Sequence, residues 1–339
     1  MSALAPGRLL PALAPVLAAL TVGALVLLAT GDDPLTVYPL LLREAFGDLD
    51  RVAATLVAAT PLLFTGLATA FTFRAGVFNV GAEGGFVLGG LAAATVGAHL
   101  TGLPGPLVAL LALAAGTAAG MATSAVPGWL RARWEVNEVV ITLMTNFIAL
   151  GLAGWLVTSF LQAEGVANSA TPLVPPDAWL PVLLSPGLTV GVLLGLALLA
   201  GYACWIRYSV PGYELRMTGH NPEFARAQGI RTGRVVLVAM LVSGAVAGLG
   251  GGAQALGVVH RFVEGFSPGY GFTGIAVALL GRNGALGVAL GALFLGAMSS
   301  AGATVQLFSD IPLDIVQVLT GAVMIFAVAR GALSRGAAR

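Results

Sequence analysis

Lysine is absent from this chain; all sixteen basic residues are arginine. A P-loop needs a lysine that reaches the phosphates of its nucleotide. The chain therefore carries no Walker-type ATP site, and any ATP that drives it belongs to another subunit. Cysteine occurs once, as Cys204, so no internal disulfide can form. Its place late in an apolar run reads as core. Charged residues make up only 9% of the sequence and the net charge is +1, which leaves no electrostatic footprint for nucleic acid. The three histidines, His99, His220 and His260, fall in or near expected loops. His260 and Glu264 have the i, i+4 spacing of a metal pair, but two ligands in a glycine-rich turn do not make a site, and no metal is expected. No Ser/His/Asp set has motif support, so an enzyme is not expected either.

What the chain has in abundance is apolar residues, at 58%. That composition belongs to polytopic membrane proteins. Runs long enough to cross a bilayer are read at Leu9 to Thr30, Val52 to Phe73, a stretch ending near Leu100, Leu107 to Val126, Asn137 to Val157, Leu188 to Ile206, Val235 to Leu256, Ala285 to Ala303 and Leu313 to Ala329. Gly271 to Gly281 is apolar but half the usual length. The first run is too long for a signal peptide and lacks a convincing cleavage site, so a retained helix is expected. Val37 to Phe46 reads as a surface helix, and WLRARWE after the fourth run reads as a loop. The fold class expected is an all-α polytopic membrane protein of about ten transmembrane helices, one domain over 1–339. With both ends inside, only Arg43, Arg51 and Arg261 fall outside, which obeys the positive-inside rule.

That topology puts 207–234, RYSVPGYELRMTGHNPEFARAQGIRTGR, in the cytoplasm. A short helix is written inside it: Asn221 can cap, Pro222 suits the first helical position, and Gly229 can close the end. Two turns are not stable alone in water, so the helix must dock, either on its own membrane domain or on a soluble partner.

Gly81 and Gly84 open one apolar run, and Gly271 and Gly274 open another. In this topology the two breaks sit in oppositely oriented segments, the pattern of an inverted repeat with the transport path between its halves. On the fifth run Glu138, Thr142, Thr145 and Asn146 share roughly a 100° arc, with Asn137 at its edge. Such a stripe faces either neighbouring helices, through hydrogen bonds, or a water-filled cavity. Asn79 and Glu83 beside the first break are similar candidates for a substrate path; Gln254 and Thr273 are weaker ones. Only Glu83 and Glu138 approach the membrane interior as ionisable groups, so ion-gradient coupling has little support. A mostly amide and hydroxyl lining suits an uncharged polar solute.

Four segments carry a family resemblance: PLLFTGLATAFTFRAGVFNVGAEGGF, EVNEVVITLMTNFIA, GYELRMTGHNPEFARAQGI and GFTGIAVALLGRNGALG. Together they resemble the membrane permease subunits of bacterial ABC importers for nucleosides, in the wider group that also serves ribose, other simple sugars and branched-chain amino acids. The resemblance runs from about Thr36 to Arg330. It implies that Gly212, Leu215, Arg216, Gly219, Asn221, Pro222, Phe224, Ala225, Arg226, Gly229 and Ile230 form the coupling loop that docks on an ATPase subunit. It also implies a homologous second permease subunit, in a homo- or heterodimer, and ATPase subunits that hold ATP and Mg. An extracytoplasmic substrate-binding lipoprotein and residence in the bacterial inner membrane complete the picture; no cofactor is bound by this chain. Gly85 departs from the pattern, where a Gln is expected.

Overall fold

The computed structural model describes residues 33–308, save 101, 167 and 186, together with Thr21, Ala24, Leu25, Leu27, Leu28 and Gly321. The first and tenth apolar runs thus lie essentially outside the described residues. Among those described, eleven helices carry the fold. They are α1 (Pro34–Phe46), α2 (Leu49–Arg74), α3 (Ala82–His99), α4 (Gly105–Trp134), α5 (Glu138–Leu156), α6 (Gly191–Tyr208), α7 (Val210–His220), α8 (Pro222–Ala227), α9 (Thr232–Gln254), α10 (Tyr270–Leu280) and α11 (Ala285–Phe308). Among the described residues six segments are long and apolar enough to cross a membrane: Leu49–Arg74, Gly105–Trp134, Glu138–Leu161, Gly191–Tyr208, Thr232–Val259 and Ala285–Gln306. α10 is the half-length segment expected from the sequence, and α3 is a largely buried helix outside these six.

The chain forms two compact units. The first comprises 1–58 and 294–339. In it α1 is capped by Asp33, whose carboxylate accepts from the Leu35 N–H at 3.0 Å and the Thr36 hydroxyl at 3.0 Å. The apolar face of α1, Val37, Leu41 and Ala45, packs with Leu27, Ala297, Ala301 and Val305. Arg51 ties the α1–α2 corner, pairing with Glu44 at 3.1 Å and Asp48 at 3.3 Å.

The second unit spans 59–293 and holds the features of functional interest. α3 lies at its centre, packed by α4, α5, α9 and α10. Glycine makes this possible. A Cβ on Gly120 would run into the Gly244 carbonyl, one on Gly248 into the Gly116 carbonyl, and one on Gly251 into the Phe86 carbonyl. Small residues let helix backbones approach where lipid gives no hydrophobic drive to associate.

Several expectations change here. WLRARWE is not a loop: α4 runs on through Trp134 and ends at Glu135 in the left-handed region, φ 52°. Cys204 is exposed rather than core, because only one side of α6 is packed in this chain. The 207–234 segment holds two helices where one was expected, with α7 preceding α8. α7 is capped by Ser209, whose hydroxyl accepts from the Gly212 N–H at 3.0 Å. The described residues of the proline-rich 158–185 segment make defined contacts. It pairs with the turn after α9 through Thr171 N–H to Phe262 O and Val174 N–H to His260 O, both 2.9 Å. Trp179 stacks on His260 with ring centroids 3.6 Å apart.

Candidate functional site

Between α2 and α3 the chain leaves helical geometry, with Gly76 at φ 76° and 77–80 without helix. Extended backbone inside a membrane protein must find its hydrogen bonds in the surrounding protein. α5 supplies them. Glu138 Oε1 accepts from the Phe78 N–H at 3.3 Å, and Thr142 Oγ1 from the Val80 N–H at 3.2 Å. Asn146 donates Nδ2–H to the Val80 carbonyl at 2.8 Å and accepts the Gly84 N–H at 2.9 Å.

Asn79 completes this clamp. Its Oδ1 accepts from the Gly81 N–H at 2.7 Å, and its Nδ2–H donates to Ser243 Oγ on α9 at 3.0 Å. Asn79, Thr142 and Asn146 are essentially without solvent contact.

The second glycine break meets the first. The Gly271 N–H, in the first turn of α10, donates to Glu83 Oε2 at 2.5 Å. The Ser267 hydroxyl accepts from the Tyr270 N–H at 3.1 Å at the start of α10. A Cβ on Gly271 would collide with the Glu83 backbone, and one on Gly274 with Thr65. The Thr65 hydroxyl donates to the Tyr270 carbonyl at 2.9 Å. A carboxylate suits the amide-rich start of a helix, so Glu83 joins the N-terminal ends of α3 and α10 into one junction.

In this chain Asn79, Glu83, Thr142 and Asn146 make the hydrogen bonds to neighbouring protein that were the first of the two readings of such polar groups. They face packed backbone, because the break leaves N–H and C=O groups that only nearby polar side chains can satisfy. Asn137 is exposed and caps α5, accepting from the Val139 N–H at 3.0 Å and the Val140 N–H at 3.3 Å. Glu138 pairs with Arg131 at 3.3 Å. Thr145 borders open space. It shares an apolar groove of about 660 Å³ with Thr95, Thr123 and aliphatic side chains of α3, α4 and α5. Gln254 is buried in the last turn of α9, and Thr273 lies half-buried on α10.

The other face of interest is the arm of α7 and α8. Asn221 caps α8, its Oδ1 accepting from the Phe224 N–H at 2.9 Å, with Pro222 in the first turn. The helix ends one residue earlier than expected, at Ala227, and Gly229 turns the chain at φ 81°. Ala225 is buried, Ile230 N–H returns to the Ala225 carbonyl at 3.0 Å, and Phe224 is 47% exposed. Gly219 is needed for proximity rather than for a turn: a Cβ there would strike the Arg74 carbonyl. Gly212 packs as closely on Trp205 and Ile206, and Leu215 is buried beside them. Arg216 donates to the Ile206 carbonyl. Arg226 is also engaged, pairing with Glu135 at 3.0 Å and donating to Thr232 Oγ1 at 3.1 Å.

Ser243, Thr65, Ser267 and Arg131 were not singled out from the sequence. Thr65 did carry a signal: a hydroxyl four residues after the mid-helix Pro61, whose carbonyl it also bonds at 3.0 Å. At Gly85 a Cβ would lie 3.4 Å from Ala247 Cβ, with the Gly244 and Gly120 carbonyls just beyond, so this packing leaves little room for a glutamine. Among the described residues no three His, Cys, Asp or Glu side chains cluster as metal ligands.

The family model for the permease component of branched-chain amino acid transport systems matches residues 51–328. A glucose ABC transporter permease protein of Haloferax volcanii is 35% identical, the match covering 92% of this chain and 85% of the relative. A guanosine ABC transporter permease protein of Bacillus subtilis is 35% identical over 94% of this chain and 92% of its own. A nucleoside ABC transporter permease protein of Lactococcus lactis is 30% identical, with 90% and 86% covered. No solved structure matches significantly. With six helices of membrane length, a family match over most of its residues and relatives aligned nearly end to end, the chain is a multi-pass membrane protein belonging to the family of branched-chain amino acid transport system permease components.

Proposed function

We propose that this chain is the permease subunit of an ATP-binding cassette importer that carries nucleosides across the bacterial inner membrane. The observation that carries the reading is the likeness, over nine-tenths or more of the chain, to permeases named for guanosine and for nucleosides. The equally similar glucose permease favours a simple sugar as the second reading. In this proposal 1–339 is one permease domain of ten crossings with both ends in the cytoplasm. ATP and Mg lie on partner ATPase subunits, and a lipoprotein delivers substrate outside. A homologous second permease, identical or not, packs on α5, whose Phe147, Ile148 and Trp155 are bare in this chain. The groove beside Thr145 would then be walled on its open side and become part of the path.

The 207–234 arm is the coupling element. Phe224 is available for a pocket on the ATPase, and a buried aromatic is the usual centre of an interface. Behind it runs a contiguous polar chain. Arg226 pairs with Glu135, and Arg131 donates to the Glu135 carbonyl at 3.0 Å and pairs with Glu138, which holds the Phe78 N–H. Displacement of α8 would reach the clamp at the glycine break by this route. Asn79, Glu83, Thr142 and Asn146 thus act by positioning the break, not by touching solute.

The test is Phe224→Ala with Arg226→Glu in the assembled transporter, reconstituted in vesicles. Uptake of labelled nucleoside should fall at least tenfold, a loss on the order of 2 kcal/mol at an interface hot spot. ATP hydrolysis should stop responding to loaded binding protein while the permease remains folded. Wild-type uptake in that variant would remove the coupling role. Competition by excess glucose but not guanosine would move the substrate to the second reading.

A further inference from the structure

A second cavity, of about 490 Å³, opens beside the C-terminal ends of α2 and α6 and the beginning of α9. One stripe of α9 lines it, at the three- and four-residue spacing of a single helix face. From the end inward the stripe reads Arg231, which is the N-cap, then Arg234, Val235, Val238, Ala239 and Val242. Opposite it stand Phe71 and Trp205, each within a turn of its helix end, and Glu214 of α7. The chemistry therefore changes with depth. Two guanidinium groups mark the mouth, against one carboxylate, and neither arginine has an ion-pair partner among the described residues. Below them the wall is aromatic and aliphatic.

The dimensions fit one class of ligand. Residues 231 to 242 rise about 16 Å along the helix, close to half of the roughly 30 Å hydrocarbon core. A solute in water would gain nothing from an apolar wall so deep, and a neutral lipid would leave both guanidinium groups unanswered. An anionic phospholipid meets both halves. Its phosphate would lie between Arg231 and Arg234, and an acyl chain would run along Val238 and Val242 past Trp205. Val238 is 42% exposed, which leaves the cavity open sideways for the remainder of the chain. Basic residues at a membrane surface attract anionic headgroups, and basic pockets between spanning helices hold them.

We infer that this cavity is a binding site for an anionic phospholipid, seated against the arm that carries α7 and α8. The inference needs only that these helices span a membrane. It does not depend on the transported substrate or on which face is cytoplasmic.

Native mass spectrometry of the purified full-length chain, titrated with phosphatidylglycerol or phosphatidylcholine, tests it. One phosphatidylglycerol should be retained per chain, at least about tenfold more tightly than phosphatidylcholine, as two surface arginines allow. The double substitution Arg231→Gln with Arg234→Gln should remove that preference. Val238→Trp, which fills the apolar half while leaving both charges, should weaken phosphatidylglycerol by a similar factor. Equal retention of the two lipids by the unaltered chain overturns the proposal, whatever the variants do. So does undiminished phosphatidylglycerol retention in Val238→Trp, which would mean surface charge without a seat. A Val238→Cys variant that crosslinks to an ATPase subunit in the assembled transporter would show protein in the cavity, and the proposal would fail.

Discussion

Asn146 holds two buried backbone groups at once, the Val80 carbonyl and the Gly84 N–H. Asn146→Leu keeps much of the side-chain volume but strands both. An unsatisfied buried polar group costs about 1–3 kcal/mol, so the variant should unfold at clearly lower temperature in detergent, by roughly 2 kcal/mol or more. Uptake would fall with it; reduced uptake at unchanged thermal stability would instead restore a direct role at the solute. His260 gives a pH prediction at the same scale. Burial against Trp179 lowers its pKa below the usual imidazole value, a shift opposed by its hydrogen bond to the Leu256 carbonyl. The folded chain therefore binds this proton less well than the unfolded chain. The stability it contributes is present above the ordinary imidazole range and is lost as pH falls through the lowered value. Melting followed from pH 7.5 down to 5 should show a decline that His260→Asn abolishes, asparagine being tolerant of the positive φ of 60° at this position.

At the scale of elements, the central contact is that of α4 with α9, beside α3. Backbone meets backbone at Gly116, Gly120, Gly244 and Gly248, so no side chain can move aside to admit a larger one. Overpacking of a tight core costs about 1–3 kcal/mol, and Gly248→Leu should reach at least the upper part of that range. Size-exclusion analysis after graded heating should show the variant aggregating well before wild type. Gly154, where a Cβ would meet nothing within 4 Å, supplies the control: Gly154→Leu should leave the profile unchanged unless α5 is already covered by a second permease.

For the whole molecule the testable quantity is sidedness. In a Cys204→Ser background, Ser169→Cys should react with a membrane-impermeant thiol reagent added outside, and Ser334→Cys only after permeabilisation. Both predictions follow from the arginine distribution. The reverse pattern would invert the chain and place the α7–α8 arm on the wrong face for an ATPase.

The sequence by itself settled the membrane class, the glycine breaks and α8. Apolar run length, glycine and proline placement and an Asn-Pro cap act through local physics, and local physics is legible without contacts. It also grouped Asn79, Glu83, Asn137, Glu138, Thr142, Thr145 and Asn146, since polar residues on apolar helices require partners, and five of these, all but Asn137 and Thr145, meet at the glycine breaks. It could not say which partners. A stripe that faces water and a stripe that faces a stretch of unpaired backbone have the same period, and only the packing of 77–84 against α5 distinguished them. The meeting of Glu83 with Gly271 joins residues 188 positions apart. α7, with its mixed polarity, and Gly219, which sits against the Arg74 carbonyl, likewise depended on what lies across from them. Tertiary structure decided these points because a hydrogen bond needs its acceptor in place, and the chain's fold, not its local pattern, puts it there.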